Sequence, residues 1–279
     1  MLRAREVRDE PRSHEAARTG HPHSHGAKLP EPSALCYTRF VLSRESLVAV
    51  LFDLGGVLVH LDYEAIAAEA AALAIDLDAR VLPRAEGAAR RAIDARAGAL
   101  GGVPGTDATR VPDYFDDLLA GAGLDARARG ALVPRLRAHH AERNLWRVPF
   151  ADAAATLAAL RGAGLRLGVV SNADGRAAAV LEAAGLADAF EAIVDSHLEG
   201  VEKPDAEIFH RALARVGAPA ARAAFVGDIV SIDVAGARNA GLRPILMDAA
   251  RAYGDVAIER IERLAELLAR LGVVAEGSR

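Results

Sequence analysis

The chain has 279 residues, 52% of them apolar, and a formal net charge of −4, enough for two domains or for one domain carrying an insertion. No basic stripe lies outside the N-terminal tail and no apolar run is long enough to span a bilayer, so neither a nucleic-acid nor a membrane partner is expected. A single cysteine, Cys36, leaves no internal disulfide, and the N-terminus lacks the apolar stretch of a secretory signal; the expected location is a reducing cytoplasm.

Residues 1–46 mix charges without period and hold Pro11, Pro22, Pro30 and Pro32. They read as a disordered extension. His21, His23 and His25 alternate within it, and a His-rich tract can bind metal, but no second cluster of ligands closes a site. At 47–53 five apolar residues lead into Asp53, with Gly55 and Gly56 following. Such a run reads as a strand buried on both faces. A carboxylate at its end stands where open α/β sheets bind ligands. Residues 62–149 are rich in Ala, Leu and Arg and read as helices, with Ile66, Ala70 and Leu73 on one face. Leu132, Leu136 and His139 imply a later helix with Pro134 near its start and Trp146 beyond it. The Gly-rich stretch at 98–106 matches no phosphate-loop pattern and reads as a plain loop.

From 150 onward helix and strand alternate. Strands are expected at 165–170, 192–195, 223–226 and 244–247. Helices are expected at 152–161, 174–184, 204–216 and up to 239, and a final amphipathic helix carries Ile258, Ile261, Leu264, Leu268 and Leu271. The alternation predicts an α/β fold, a doubly wound parallel sheet. A Rossmann-like core would comprise 47–61 and 150–279, with a helical cap inserted at 62–149. Asp53, Ser171, Lys203, Asp228 and Asp233 all fall just past strand or loop ends, which share one edge of a parallel sheet. Lys203 is one of only two lysines among 34 basic residues and the only one outside the tail. Each of these has a plain reading as a turn, cap or surface residue, but those readings explain neither the lone lysine nor the two acids after buried strands.

Four motifs occur in order: Phe52-Asp53-Leu54-Gly55-Gly56-Val57, Val169-Val170-Ser171-Asn172, Glu202-Lys203-Pro204-Asp205, and Gly227-Asp228 leading to Asp233. In these the chain resembles the haloacid dehalogenase-like hydrolase superfamily, in the subclass with a helical cap between its first two motifs. The resemblance implies an Mg²⁺-dependent phosphatase of a small phosphorylated metabolite. Asp53 would be the nucleophile and form an aspartyl-phosphate. Ser171 and the backbone around Asn172 would bind phosphoryl oxygens, and Lys203 would balance charge between Asp53 and the substrate. Asp53, the Gly55 carbonyl and Asp228 would hold Mg²⁺, with Asp233 at or behind the metal.

One position departs from the pattern. Most phosphatases of this family carry a second Asp two residues after the first, and here it is Gly55, which cannot transfer a proton. His60, Asp62, Arg90, Arg91 and His139 are candidates to replace it. A phosphomutase is disfavoured. A metal-independent 2-haloacid dehalogenase and a non-catalytic ligand-binding relative remain as alternatives. Substrate identity and oligomeric state are not legible in the residues.

Overall fold

The computed structural model describes residues 47–99 and 107–273. The N-terminal extension and most of the Gly-rich loop lie outside the described residues. The strand expected at Asp53 is β1, Ala49–Phe52, and all four of its residues are buried. Its side chains alternate between two apolar layers. Val50 and Phe52 pack with Leu157, Leu160 and Leu181 on one face, and Ala49 and Leu51 with Ile208, Phe209 and Leu213 on the other. A strand apolar at every position is what burial on both faces requires.

A short strand β2, Val59–Leu61, precedes the helical insertion. Helix α1, Tyr63–Ala71, is capped by Asp62, whose Oδ1 accepts from the Ala65 N–H at 2.9 Å. Then come α2, Leu82–Ala99, α3, Asp107–Gly121, and α4, Ala126–Glu142. They share an apolar cluster with Leu61, Ile66, Leu82, Phe115, Leu118, Leu132 and Leu136, into which Ile232 of the sheet domain also packs. Helix α4 starts at the Asp125 cap, so Pro134 lies mid-helix rather than near the start.

Trp146 is not an extension of helical text. It opens β3, Trp146–Pro149, which pairs antiparallel with β2. The two strands form a small ribbon that carries the chain out to the helices and back. It escapes sequence reading because its partners are more than eighty residues apart and each strand is too short for a period to show.

The chain continues through α5, Ala153–Gly162, β4, Arg166–Ser171, α6, Ala177–Ala183, β5, Ala192–Asp195, α7, Ser196–Glu199, and α8, Ala206–Val216. It ends with β6, Ala223–Gly227, a π-helical turn Val230–Val234, α9, Ala235–Asn239, β7, Arg243–Met247, β8, Arg260–Ile261, and α10, Glu266–Leu271. The large sheet has the order β5-β4-β1-β6-β7-β8, with every pairing parallel. The chain winds to one side of β1 and then crosses to the other, which makes the end of β1 the topological switch point.

The expected final helix is half right. Residues 260–261 form the edge strand β8, pairing with Leu246 and Met247, and only Glu266–Leu271 is helical. The edge of β7 needs partners for its amide and carbonyl groups, and that demand overrides the helical spacing of Ile258, Ile261 and Leu264. The helix expected from Pro204 begins later, at Ala206, with Asp205 as its cap. Asp152 precedes α5 without capping it and instead accepts from the Ala265 N–H at 2.9 Å.

Candidate active site

The C-terminal ends of β4, β1 and β6 bring Ser171, Asp53 and Asp228 to neighbouring points of one edge of the sheet. The Asp53 N–H bonds to the Val226 carbonyl at 2.8 Å, so its backbone still belongs to the sheet while its side chain leaves it. Oδ1 of Asp53 accepts from the Leu54 N–H at 2.7 Å and from Lys203 Nζ at 2.8 Å. Lys203 is 1% exposed, and its second partner is Oδ1 of Asp233 at 2.7 Å. The lone lysine outside the tail is therefore a buried bridge between two acids, and its ammonium also lies 5.3 Å from the Phe225 ring centroid.

Asp233 is fully engaged. Its Oδ2 accepts from the N–H groups of Asp228 and Ile229 at 3.0 and 2.9 Å, which fixes the turn that carries Asp228. Asn172 plays a similar part for Lys203. Its side-chain amide donates to the Lys203 carbonyl at 2.9 Å and its oxygen accepts from the Lys203 N–H at 2.8 Å. What Asn172 can offer a ligand is thus its backbone. The loop after β4 is held by Asp195, which accepts from the N–H groups of Gly175, Ala177 and His197. Ser171 is buried at the end of β4.

The remaining partner comes from the insertion. Arg90 of α2 donates from Nε to Oδ2 of Asp228 at 2.6 Å and from Nη2 to Glu86 at 2.5 Å. Glu86 in turn accepts from the Tyr63 hydroxyl at 3.0 Å. Arg90 was among the candidates read from the sequence. Glu86 was not, although its spacing of four from Arg90 on a helix was a usable signal. The other candidates are occupied elsewhere. Asp62 caps α1 and pairs with Arg147, His139 pairs with Glu69, and Arg91 pairs with Asp255 at the surface. The ring of His60 stacks on Tyr63.

The two glycines differ in purpose. Gly56 has φ +75°, and a Cβ there would come within 2.0 Å of Asp228 Oδ2, so only glycine permits Asp228 to approach the backbone. At Gly55 a Cβ would meet the Trp146 indole at 3.2 Å. The space where a side chain at 55 would begin is walled by the ring of Trp146, whose place at this site was not anticipated from the sequence.

Electrostatics follow from burial. When all are ionised, Asp53, Asp228, Asp233 and Glu86 bring four negative charges against the two positive ones of Lys203 and Arg90. Burial, opposed by Lys203 and reinforced by Asp233, pushes Asp53 from 3.8 up to about 6. Asp228 is raised well above its ordinary value, by burial first, then by Asp233 and Asp53, against Arg90. Burial pulls the Lys203 ammonium down, but Asp233 and Asp53 outweigh it and its pKa is raised. Ligand oxygens of Asp53, Asp228 and Asp233 lie within 4.8 Å of one another. A buried excess of two negative charges with hard oxygen donors is the chemistry that suits a divalent cation. Among the described residues no helix is long and apolar enough to cross a membrane.

Residues 47–241 match the haloacid dehalogenase-like hydrolase family. The haloacid dehalogenase-like hydrolase domain-containing protein 3 of Danio rerio is 40% identical over 130 residues, 45% of this chain and 53% of that protein. The phosphoglycolate phosphatase of Caulobacter vibrioides is 37% identical over 133 residues, covering 46% and 54%. That of Rhodospirillum rubrum is 35% identical over 201 residues, covering 71% and 78%. The chain thus spans about half the length of the first two relatives and 78% of the third. Among solved structures, the magnesium-bound HAD hydrolase YfnB of Bacillus subtilis superposes with a TM-score of 0.58 at 24% identity, over 81% of this chain and 99% of that one. A dehalogenase superposes at 0.56 with 20% identity, over 81% and 97%. These two share the fold. With its four motifs converging on one sheet edge and the match spanning most of its length, the chain belongs to the haloacid dehalogenase-like hydrolase family.

Proposed function

We propose that the protein is a cytoplasmic phosphatase of small phosphorylated metabolites, using Asp53 as nucleophile and Mg²⁺ as cofactor. The observation that carries this reading is the buried cluster of Asp53, Asp228, Asp233 and Lys203, with its excess of negative charge, at the switch point of the sheet. Two relatives are named phosphoglycolate phosphatases, which supports a small anionic phosphate ester as the substrate class.

Oδ1 of Asp53 is held by Leu54 and Lys203, which leaves Oδ2 to attack phosphorus. The leaving oxygen departs on the opposite side, toward the inserted helices, because displacement at phosphorus is in line. The aspartyl-phosphate so formed is hydrolysed by water in a second step. Lys203, the Ser171 hydroxyl and the backbone amides around Asn172 hold the equatorial oxygens, where charge accumulates. Asp53, the Gly55 carbonyl and Asp228 would hold Mg²⁺, with Asp233 orienting Lys203 and the Asp228 turn from behind. When bound, the cation offsets the repulsion between Asp53 and the phosphate. The helices between β2 and β3 serve as a cap over the site.

A second reading is a metal-independent 2-haloacid dehalogenase. It is favoured by Arg90, which already supplies a positive charge to Asp228. One panel separates the two. Phosphate esters and 2-haloacids are assayed with Mg²⁺ and after EDTA treatment. Phosphate release that EDTA removes and Mg²⁺ restores is the expected result. Chloride release that survives EDTA identifies the dehalogenase. Ligand binding without turnover of either class identifies a non-catalytic relative.

A further inference from the structure

Gly55 leaves the position two residues after the nucleophile without a proton-bearing side chain, and the Trp146 indole crowds the space in which one would stand. The Trp146 ring is in turn covered by Tyr114 of α3, with ring centroids 5.5 Å apart. Tyr114 is 8% exposed, and its hydroxyl is buried with no hydrogen-bond partner among the described residues. A buried hydroxyl left unpaired is costly, so its persistence calls for a partner that arrives later. Its surroundings say where that partner would be: the charges of Glu86, Arg90 and Asp228 all act on the phenol. Tyr114 thus stands on α3 of the insertion, against the Trp146 ring that faces position 55. In-line displacement sends the leaving oxygen away from Asp53, and under the phosphatase reading the insertion covers that side.

We propose that the Tyr114 hydroxyl is a catalytic residue that donates a hydrogen bond to the leaving-group oxygen as the P–O bond breaks; the oxygen departs with the bonding pair, stabilised by that hydrogen bond in place of a proton transfer from position 55, and takes its proton from water. The inference rests on the phosphatase reading and adds the group that meets the departing alcohol. It is also chemically apt. Burial, then Glu86, hold the phenol well above its ordinary value against the opposing pull of Arg90, so the hydroxyl keeps its proton and acts as a donor. A donor aimed at developing charge favours the transition state over the ground state.

The test compares the full chain with its Tyr114→Phe variant at saturating Mg²⁺, on an alkyl phosphate and on 4-nitrophenyl phosphate. The alkyl leaving group needs a donor and the nitrophenolate does not. The expected result is a fall in kcat of about 10²-fold for the alkyl ester, with the aryl ester nearly unchanged. The melting temperature should be equal or higher, because the lost hydroxyl had no partner among the described residues. An equal loss on both esters, a change in KM alone, or a lower melting temperature overturns the proposal and points to a packing role. A fluorinated tyrosine at 114 keeps the ring and strengthens the donor. It should preserve or raise alkyl turnover, and a loss like that of Phe overturns the proposal. If the unaltered protein hydrolyses neither ester, the phosphatase reading itself fails and takes this one with it; a leaving-group-blind variant beside an active parent overturns only this one.

Discussion

Asp53 holds a carboxylate where its surroundings disfavour the charge, since burial lifts it to about 6 even with Lys203 at 2.8 Å. That poise is useful for a nucleophile, whose oxygens must not be tied down by solvent, and it costs stability. Asp53→Asn tests both consequences at once. The amide keeps the shape and removes the buried charge, so the metal-free variant should be about 1–2 kcal/mol more stable in urea denaturation. Turnover should vanish, because an amide cannot form the acyl phosphate. A variant that still turns over refutes the nucleophile assignment. This residue's place at the end of a buried strand was visible in the sequence, because an acid after five apolar residues has few plain explanations. Gly55 was visible as an omission. What fills its place was not: Trp146 lies more than ninety residues away and Tyr114 nearly sixty, and no local pattern couples them to it.

Helix α2 behaves as a strut between the insertion and the sheet domain. Its Glu86 and Arg90, one turn apart, form a chain from the Tyr63 hydroxyl to Asp228, with Arg90 and Glu86 both 3% exposed in their side chains. Removing one member of a buried ion pair strands its partners, typically at about 3–5 kcal/mol. Arg90→Met strands two carboxylates, Glu86 and Asp228, and should be the more damaging change. Glu86→Gln leaves Arg90 its partner Asp228 and should cost less. Mg²⁺ should recover part of the loss in Arg90→Met, since a cation at Asp228 replaces the missing charge. Urea titrations of both variants with and without Mg²⁺ check this, and equal losses that Mg²⁺ does not touch would argue against the strut. The helices of the insertion were legible as helices. Their register against Asp228 was not, because in a chain with 32 arginines nothing local marks Arg90 out. The β2–β3 ribbon and the β8 edge strand were missed for a related reason: two to four residues are too few to display a period, and pairing across the chain decides them.

For the molecule as a whole, the buried acids set how stability varies with pH. Asp53 is protonated more readily in the folded state than in the unfolded one, so the unfolded state releases its proton first as pH rises. Its contribution to stability is full below about pH 4 and lost as pH climbs through about 6. Asp228, raised in the same direction, adds to the fall. Metal-free protein should therefore lose stability across that window relative to Asp53→Asn. Saturating Mg²⁺ should cancel the difference by favouring the ionised acids, adding about 2.7 kcal/mol at a hundred times its Kd. Thermal unfolding from pH 4 to 7, with EDTA or with Mg²⁺, measures both; identical profiles for the two proteins would show that Asp53 is not the source.

The alternation of helix and strand, the parallel sheet and the four motif positions at the C-terminal edge of its strands were legible in the residues alone. Those features are local: a strand buried on both faces is apolar throughout, and a residue past a strand end needs no distant partner to be recognised. How the acids are paired depends on the folded chain. Lys203 became a bridge between Asp53 and Asp233, Asn172 a clamp on Lys203, and Arg90 the partner of Asp228. Trp146 came to face position 55, and Tyr114 to pack against Trp146. Each of those relations joins segments far apart in the chain, and burial and distance, which set their energies, exist only once the chain has folded.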